Sequence, residues 1–259
     1  MLPKPRRQNV NMQLSGGQIA IVYGGAGSGK TTFLEAIASR LDSGPVRVSG
    51  GAIFLFGQQL RAWNRAFLRE KMYYMRQQEA ALGLPIGTVV RLQPPDSQTV
   101  STSQQVADAL AAGGALGLPK FLRDSLETDF SDPDAPHLTQ GLWRKLAVAR
   151  ALYHAQTADA LLLDSPADVF TEEEEHLFFQ YLRQRLRPNQ VVVMSTTKAD
   201  LCRHADVVVD LDRHMTYTTH HTAPANRRAA SPPSSRSEGT HRPFVGANVP
   251  QPSIPKAVQ

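Results

Sequence analysis

The chain has 259 residues, 41% of them hydrophobic, and a formal net charge of +5 at pH 7. This length suits one large domain or two small ones, and the single cysteine, Cys202, excludes an internal disulfide and indicates a reducing cytoplasm. No apolar run reaches the roughly 18 residues of a membrane span, and no such run follows the basic start Met1–Arg7 as it would in a signal peptide. Because no basic stripe with interleaved aromatics is present, we expect no nucleic-acid partner.

The first predicted unit is an apolar strand, a glycine-rich loop and a helix, in that order, between Ile19 and Ala38. The loop satisfies the phosphate-binding pattern G-x-x-x-x-G-K-[S/T], whose glycines let successive backbone N–H groups point at phosphate oxygens. In this pattern Lys30 neutralises the outer phosphates and the Thr31 hydroxyl ligates magnesium. We therefore expect a nucleotide-binding loop made of Gly24, Gly25, Ala26, Gly27, Ser28, Gly29, Lys30, Thr31 and Thr32.

Upstream of this unit, Leu14–Gln18 reads Leu-Ser-Gly-Gly-Gln. The segment directly precedes the strand of the phosphate loop, where the pair Gly16 and Gly17 is typical of a turn between two strands. We therefore expect a structural turn here and no catalytic role.

Three elements are predicted between the first helix and the middle of the chain. Val46–Gly57 reads as two short strands joined by a Gly-Gly turn, and Arg61–Lys71 as an amphipathic helix. Met72–Met75 reads as a further strand.

A change of composition marks the next segment, which is rich in Ala, Gly, Pro and Leu. It predicts a helical subdomain over about residues 79–141, with helices at Ser103–Ala112 and Lys120–Leu126. A strong helix built from good helix formers, Leu142–Leu152, follows it.

Strands and helices alternate after this helix. Ala160–Asp164 is apolar without alternation, as expected of a central parallel strand that is covered on both faces. Thr171 and Glu174 form a capping box that starts a helix running to about Arg187. The remaining elements are two strands that flank a short helix: Gln190–Ser195, Leu201–His204 and Val207–Leu211.

This alternation around a phosphate loop predicts an α/β fold with a mostly parallel sheet and nucleotide at the carboxyl ends of its strands. From Thr219 the chain is rich in Pro, Ser and Arg, which predicts a folded domain over residues 1–218 and a disordered tail over residues 219–259. The tail is either a tether or docking segment, or a solvated end without function.

One predicted strand carries a residue for metal binding. Leu161–Asp164 is apolar and ends in an aspartate, which is what a phosphate-loop protein uses to hold magnesium. With the helix through Ala149–Leu152 and the glutamine after Met72–Met75, the pattern resembles the ATP-binding-cassette (ABC) ATPases over about residues 10–215. The resemblance implies a P-loop NTPase fold of ABC-ATPase type that binds ATP, with Gln77 in the family's glutamine loop and with magnesium held by Thr31, Asp164 and Gln77.

The family's signature, usually Leu-Ser-Gly-Gly-Gln, is altered here. By position it falls on Leu138, Thr139, Gln140, Gly141 and Leu142. The hydroxyl survives as Thr139 and one glycine as Gly141, but Gln140 replaces the first glycine and would crowd the approach of the backbone to the γ-phosphate. The upstream Leu14–Gln18 matches the signature as a string but not by position.

Two residues that the family uses for hydrolysis are replaced. The glutamate that polarises the attacking water is Ser165, and the switch histidine is Thr197. A serine cannot accept a proton as a carboxylate does, and loss of a general base costs about 10²- to 10⁴-fold in rate. The family's dimer-contact aspartate aligns with Thr171, with Asp168 nearby as a partial substitute. The resemblance therefore implies a degenerate member with no confident catalytic residue.

ABC ATPases act as head-to-tail pairs in which one chain's phosphate loop faces the partner's signature, so the resemblance implies a homodimer or a heterodimer with another ABC ATPase. In such a pair Ser165 and Thr197 would impair the site on this chain's own loop, and Gln140 and Leu142 the site on the partner's loop. The first hypothesis is the ATP-binding subunit of a membrane transporter or related membrane complex, cytoplasmic and held on the inner face of the membrane by a transmembrane subunit.

Two other classes of function remain as alternatives. A non-transport pseudo-ATPase scaffold or regulator would use ATP binding to order a protein assembly. An unrelated phosphate-loop enzyme, such as a small-molecule kinase, is disfavoured because it explains the Ala149–Leu152 helix and the Leu161–Asp164 strand less well.

Overall fold

The computed structural model describes residues 10–38, 50–78, 82, 84–92, 103–115 and 138–219. Strands and helices alternate in these segments, so the predicted α/β class is confirmed. Within them, no helix combines the length and the apolar character needed to cross a membrane.

The described strands form one six-stranded sheet and one two-stranded hairpin. The six-stranded sheet contains β1 (Gln18–Tyr23), β4 (Met72–Met75), β5 (Ala160–Leu163), β6 (Val191–Thr196), β7 (Val207–Asp210) and β8 (Met215–Thr218). The hairpin consists of β2 (Phe54–Leu55) and β3 (Gln58–Gln59), which are antiparallel.

β1 lies inside the large sheet, whose strand order is β4-β5-β6-β1-β7-β8. β1 pairs in parallel with β6 and β7, β5 pairs in parallel with β4 and β6, and β8 runs antiparallel to β7. The predicted mostly parallel sheet is therefore confirmed. Because the carboxyl ends of parallel strands meet at one edge, the loops after β1, β4, β5 and β6 gather at the same edge of the sheet.

The described helices are α1 (Lys30–Ile37), α2 (Arg65–Lys71), α3 (Ile86–Arg91), α4 (Ser103–Ala112), α5 (Gln140–His154) and α6 (Glu172–Arg185). Short 3₁₀ turns lie at Leu60–Ala62, Pro166–Val169 and Ala199–His204. The capping box of α6 is confirmed, since the Thr171 hydroxyl accepts from the Glu174 N–H and the Glu174 carboxylate accepts from the Thr171 N–H.

Apolar side chains cover both faces of the sheet. Along β1, Ile19 and Ile21 belong to the core cluster that includes residues of α5 and α6, whereas Ala20 and Val22 belong to a second cluster with Leu34 of α1. This burial on both sides explains why the central strands show no polar alternation.

The turn predicted at Gly16 and Gly17 is confirmed, and it has a steric reason. A Cβ at Gly16 would lie 2.1 Å from the carbonyl oxygen of Pro188. Gly17 has a φ of 82° and its N–H donates to the carbonyl of Gln190 at 2.7 Å. The prediction that this turn joins two strands is wrong on one side, because described residues 10–17 contain no strand.

Three further differences separate the structure from the sequence prediction. The antiparallel strand β8 was not predicted, because its four residues are all exposed and carry no burial pattern. The described hairpin turns at Phe56 and Gly57 rather than at a Gly-Gly pair. The helix predicted from Arg61 is divided into a 3₁₀ turn at Leu60–Ala62 and an α-helix that begins at Arg65, because Trp63 and Asn64 are extended. The predicted helix Lys120–Leu126, residues 46–49 and the tail residues 220–259 lie outside the described residues.

Candidate nucleotide-binding site

The glycine-rich loop connects β1 to α1 at the carboxyl edge of the sheet. Gly27 and Gly29 have φ values of 72° and 99°, a region that residues with a Cβ rarely adopt. Gly29 is the N-cap of α1, with Lys30, Thr31 and Thr32 as its first three residues. The backbone N–H groups at the start of this helix are the kind of donors that bind phosphate.

Lys30 is folded into its own loop. Its side chain is buried, and its Nζ donates to the carbonyl oxygens of Gly24 at 2.8 Å and Gly25 at 2.7 Å. An ammonium group has three N–H donors, so these two bonds fix its position and leave a third for an anion. Gly25, Ala26 and Gly27 are exposed, which leaves the outer curve of the loop accessible to a ligand.

The carboxylate of Asp212 holds the start of this loop in place. Asp212 Oδ2 accepts from the Gly25 N–H at 2.7 Å. The turn that carries Asp212 is itself held by Asp210, whose Oδ1 accepts from the N–H groups of Asp212 at 3.0 Å and Arg213 at 2.9 Å. Asp212 follows β7, so a parallel neighbour of β1 fixes the entry to the phosphate loop.

Asp164 lies directly after β5, between the ends of β4 and β6, and is only 1% exposed. Its Oδ1 accepts from the Ser195 hydroxyl at 2.5 Å. Its Oδ2 is buried and has no hydrogen-bond partner among the described residues. A buried carboxylate oxygen that protein groups leave unsatisfied fits a hard cation such as magnesium or the water bound to it, so the chemistry of Asp164 suits its expected role.

Ser165, which the resemblance places at the position of the general base, has its side chain turned into the protein. It is 2% exposed and has a φ of 54°. Its N–H donates to Ser195 Oγ at 2.9 Å, its Oγ lies 3.4 Å from the same oxygen, and its carbonyl accepts from Arg144 Nη2 at 3.1 Å. The backbone N–H and carbonyl of Ser165 are therefore both held by hydrogen bonds, and its hydroxyl faces a serine rather than solvent.

The resemblance places two further departures from the family pattern at Thr197 and Thr171, and neither threonine has a titratable side chain. Thr197 is exposed and follows β6 directly. The next residue, Lys198, forms an ion pair with the buried Glu175 and donates to the Ala167 carbonyl at 3.3 Å. Thr171 is occupied as the cap of α6, whereas Asp168 lies 3.7 Å from Arg144 Nη2.

The glutamine-loop and signature positions come together at one cavity. Gln77 follows β4 and is exposed. Thr139 caps α5 by accepting from the Leu142 N–H at 3.3 Å, while Leu138 packs on the core. A cavity of 190 Å³ is lined by Gln77, Gln78, Gln140, Gly141, Arg144 and Val169. No residue of the phosphate loop lines it, so this chain's signature segment and phosphate loop do not form one pocket within the described residues.

Sequence reasoning missed three residues of this region: Ser195, Asp212 and Arg144. Ser195 had a detectable signal, because it is a polar residue at the end of an apolar strand that was predicted to be parallel to the strand of Asp164. Asp212 and Arg144 had none, since an aspartate in a turn and an arginine on a helix are ordinary surface residues until the fold places them.

Comparison with known proteins gives a consistent result. The sequence model of the ABC transporter family matches residues 7–168. The ATP-dependent lipid A-core flippase of a Polaromonas species is 30% identical over 202 residues, which cover 78% of this chain and 32% of the flippase. The glutathione/L-cysteine transport system ATP-binding/permease protein CydC of Escherichia coli is 24% identical over 202 residues, covering 78% of this chain and 33% of that protein.

A third relative, the ABC-type oligopeptide transporter ABCB9 of Homo sapiens, is 25% identical over 206 residues, covering 80% of this chain and 25% of the transporter. The chain thus spans about a third of the length of these curated relatives, or less. The family match covers more than half of the chain and includes both the phosphate loop and Asp164. This protein therefore belongs to the ABC transporter family and forms one of its nucleotide-binding domains.

Proposed function

We propose that this chain is the ATP-binding subunit of an ABC-type membrane transporter or related membrane complex, and that it binds MgATP while hydrolysing it weakly or not at all. The observation that carries this proposal is the contrast between two neighbouring positions. Asp164 has a buried carboxylate oxygen that no group of the described residues satisfies, whereas the next residue, at the position of the base, is a buried serine.

Nucleotide binding is supported by the state of the phosphate loop. The glycines adopt the backbone angles that the loop needs, and Lys30 is already held by the carbonyls of Gly24 and Gly25. These contacts place the ammonium group beside the backbone N–H groups that would bind the phosphates. Magnesium, when bound, neutralises phosphate charge; Thr31 and Asp164 are the residues that would hold it, with Gln77 as the third expected ligand.

Slow hydrolysis is supported by the surroundings of Ser165. A general base must reach the proton that it abstracts and must have a pKa suited to the task. The Ser165 hydroxyl has neither property, since it faces Ser195 and a serine is not a base near neutral pH. Thr197, at the switch position, carries no titratable proton, and no residue of this site is proposed as catalytic.

A paired arrangement is supported by the signature segment. A Cβ at Gly141 would meet only Thr139 Oγ1, at 3.9 Å, so the described packing of this chain does not require a glycine there. Thr139 and Gln140 are exposed beside it. We propose that this surface faces the nucleotide of a partner ABC ATPase, in a homodimer or a heterodimer, with a transmembrane subunit that keeps the domain on the inner face of the membrane.

The binding part of the proposal is tested by equilibrium titration of the purified chain with ATP, with Mg²⁺ or with EDTA. The wild type should bind ATP more tightly with Mg²⁺, and Lys30→Ala should abolish this binding because it removes the ammonium from the loop. Lys71→Ala is a matched control, since this lysine pairs with Glu70 and Asp159 at the opposite end of β4. Equal binding by the wild type and Lys30→Ala would contradict the proposal.

The transport part is tested by purification from membranes after detergent extraction. A transmembrane protein that stays bound to the chain supports the transporter subunit. A soluble partner alone would instead support a scaffold or regulator that uses ATP binding to order an assembly.

A further inference from the structure

Ser195 is the residue that organises the buried polar cluster at the end of β5. It lies near the end of β6, the parallel neighbour of β5, and is fully buried. Its Oγ lies within hydrogen-bond distance of three atoms just after that neighbouring strand: Asp164 Oδ1 at 2.5 Å, the Ser165 backbone nitrogen at 2.9 Å and Ser165 Oγ at 3.4 Å. One hydroxyl therefore connects the expected magnesium ligand with the position of the base.

The direction of these bonds follows from the available donors. A backbone N–H can only donate, so the Ser165 N–H uses an oxygen lone pair of Ser195. The single hydroxyl proton of Ser195 is then free for Asp164 Oδ1, at the short distance typical of a hydroxyl bound to a carboxylate. The result is an ordered chain from the Ser165 N–H through Ser195 Oγ to Asp164 Oδ1.

This chain of hydrogen bonds has two consequences for Asp164. It fixes the rotation of the carboxylate, because one of its two oxygens is held by the neighbouring strand. It also distinguishes the two oxygens, because Oδ1 is satisfied whereas Oδ2 has no partner among the described residues. The carboxylate is thus set in one orientation before any cation arrives.

The same hydroxyl supports the strained backbone beside Asp164. Ser165 has a φ of 54° and precedes Pro166, a combination that costs backbone energy for a residue with a side chain. Ser195 holds its N–H, and Arg144 of α5 holds its carbonyl at 3.1 Å. Ser195 therefore fixes both the carboxylate and the direction in which the chain leaves it.

We propose that Ser195 is the positioning residue for magnesium in this domain: its hydroxyl holds Asp164 Oδ1 so that Oδ2 is kept available to Mg²⁺ or its bound water. This inference rests on the proposed binding of MgATP. Partners that orient a metal ligand from the second layer change metal affinity by about 10- to 100-fold when they are removed.

The test measures how Mg²⁺ strengthens ATP binding in the purified chain. Ser195→Ala removes the hydroxyl and should raise the Mg²⁺ concentration that gives half of this strengthening by about 10-fold or more. ATP binding in EDTA should stay as in the wild type, because the phosphate loop is untouched. Thr196→Val is the matched control, because it removes a buried hydroxyl from the adjacent position of β6. This hydroxyl points to the other face of the strand and accepts from the Lys198 N–H at 3.0 Å.

If Ser195→Ala does not fold, as judged by circular dichroism, Ser195→Cys replaces it, because a thiol has similar size but is a weak donor, and it should shift the Mg²⁺ requirement in the same direction. An unchanged Mg²⁺ requirement in the folded variant, or an equal shift in Thr196→Val, would overturn the inference while leaving MgATP binding intact. Failure of the wild type to bind ATP with or without Mg²⁺ would overturn the proposed function itself, and this inference with it.

Discussion

At the scale of single residues, the expected magnesium ligand lies next to the position that holds the general base in the family. Asp164 and Ser165 are adjacent and both buried, yet their polar atoms differ in what remains available. Among the described residues, Asp164 Oδ2 has no hydrogen-bond partner, and Ser165 points its hydroxyl at Ser195. We therefore predict that binding and hydrolysis can be changed independently at these neighbouring positions.

A first prediction restores the base. Ser165→Glu places a carboxylate at the position of the family's base and should raise steady-state ATP turnover by about 10²-fold or more. Ser165→Gln is the matched control, because it has nearly the same shape without the charge and should give no gain. Turnover is measured by phosphate release at saturating MgATP. An equal result in the two variants would show that another position, such as the altered signature or Thr197, limits hydrolysis.

A second residue-scale prediction concerns His154, at the end of α5. Its ring stacks on Tyr73, with 4.8 Å between centroids, and is 9% exposed. Burial lowers the pKa of His154 from 6.5 to about 4. A backbone hydrogen bond to Leu92 opposes this shift to a smaller extent than burial causes it, and the nearby charge of Arg150 lowers the pKa slightly further. The folded protein therefore keeps this histidine neutral at a pH where the unfolded chain takes up a proton.

Because the pKa is lower in the folded state, this histidine contributes no destabilisation above about pH 6.5, and the free energy of unfolding falls as the pH drops from about 6.5 to about 4. The loss attributable to His154 should reach about 2 to 3 kcal/mol near the lower limit. Urea unfolding of the wild type and His154→Gln across this range isolates the effect, since other groups titrate in both proteins. Parallel pH dependences in the two proteins would contradict this assignment.

At the scale of elements, the parallel strands bring the residues of the site to one edge of the sheet, and the loops after these strands carry them. The central strands, the phosphate loop, α5 and the capping box of α6 could be predicted because their signals are local: apolar runs, glycine spacing, helix formers and a Thr–Glu pair. The antiparallel strand β8 could not, because four exposed residues carry no periodicity. The contact of Asp212 with the phosphate loop could not either, because it joins residues far apart in sequence. Ser195 carried the signal of a polar residue at the end of an apolar strand, but this signal does not show its contact with Asp164.

The upstream segment Leu14–Gln18 has the letters of the family signature, but the fold favours the other interpretation, a structural turn. Gly16 lies against the backbone of Pro188, so Gly16→Ala should cost about 1 to 3 kcal/mol in the free energy of unfolding. Ser15→Ala, in the same segment, is exposed and should leave both stability and ATP binding unchanged. Chemical denaturation and ATP titration of both variants check this prediction. Loss of ATP binding in a fully stable Ser15→Ala variant would instead assign the segment a nucleotide role.

At the scale of the whole molecule, the described residues form a nucleotide-binding domain whose phosphate loop and signature segment do not line a common cavity. The cavity between Gln77 and Gln140 lies apart from the phosphate loop, which is the arrangement expected if the signature serves a partner chain. The chain matches about a third of the length of its relatives or less, so its place in a transporter is a proposal. The central claim concerns this domain alone: it holds ATP and does not hydrolyse it efficiently.

That claim is tested most directly by measuring, in one preparation of the purified chain, both the amount of ATP bound and the rate of steady-state turnover at saturating MgATP. The account predicts Mg²⁺-dependent binding that Lys30→Ala abolishes, with turnover about 10²- to 10⁴-fold below that of an ABC domain which retains the base. Multiple turnover at ordinary ABC rates, lost in Lys30→Ala, would contradict it.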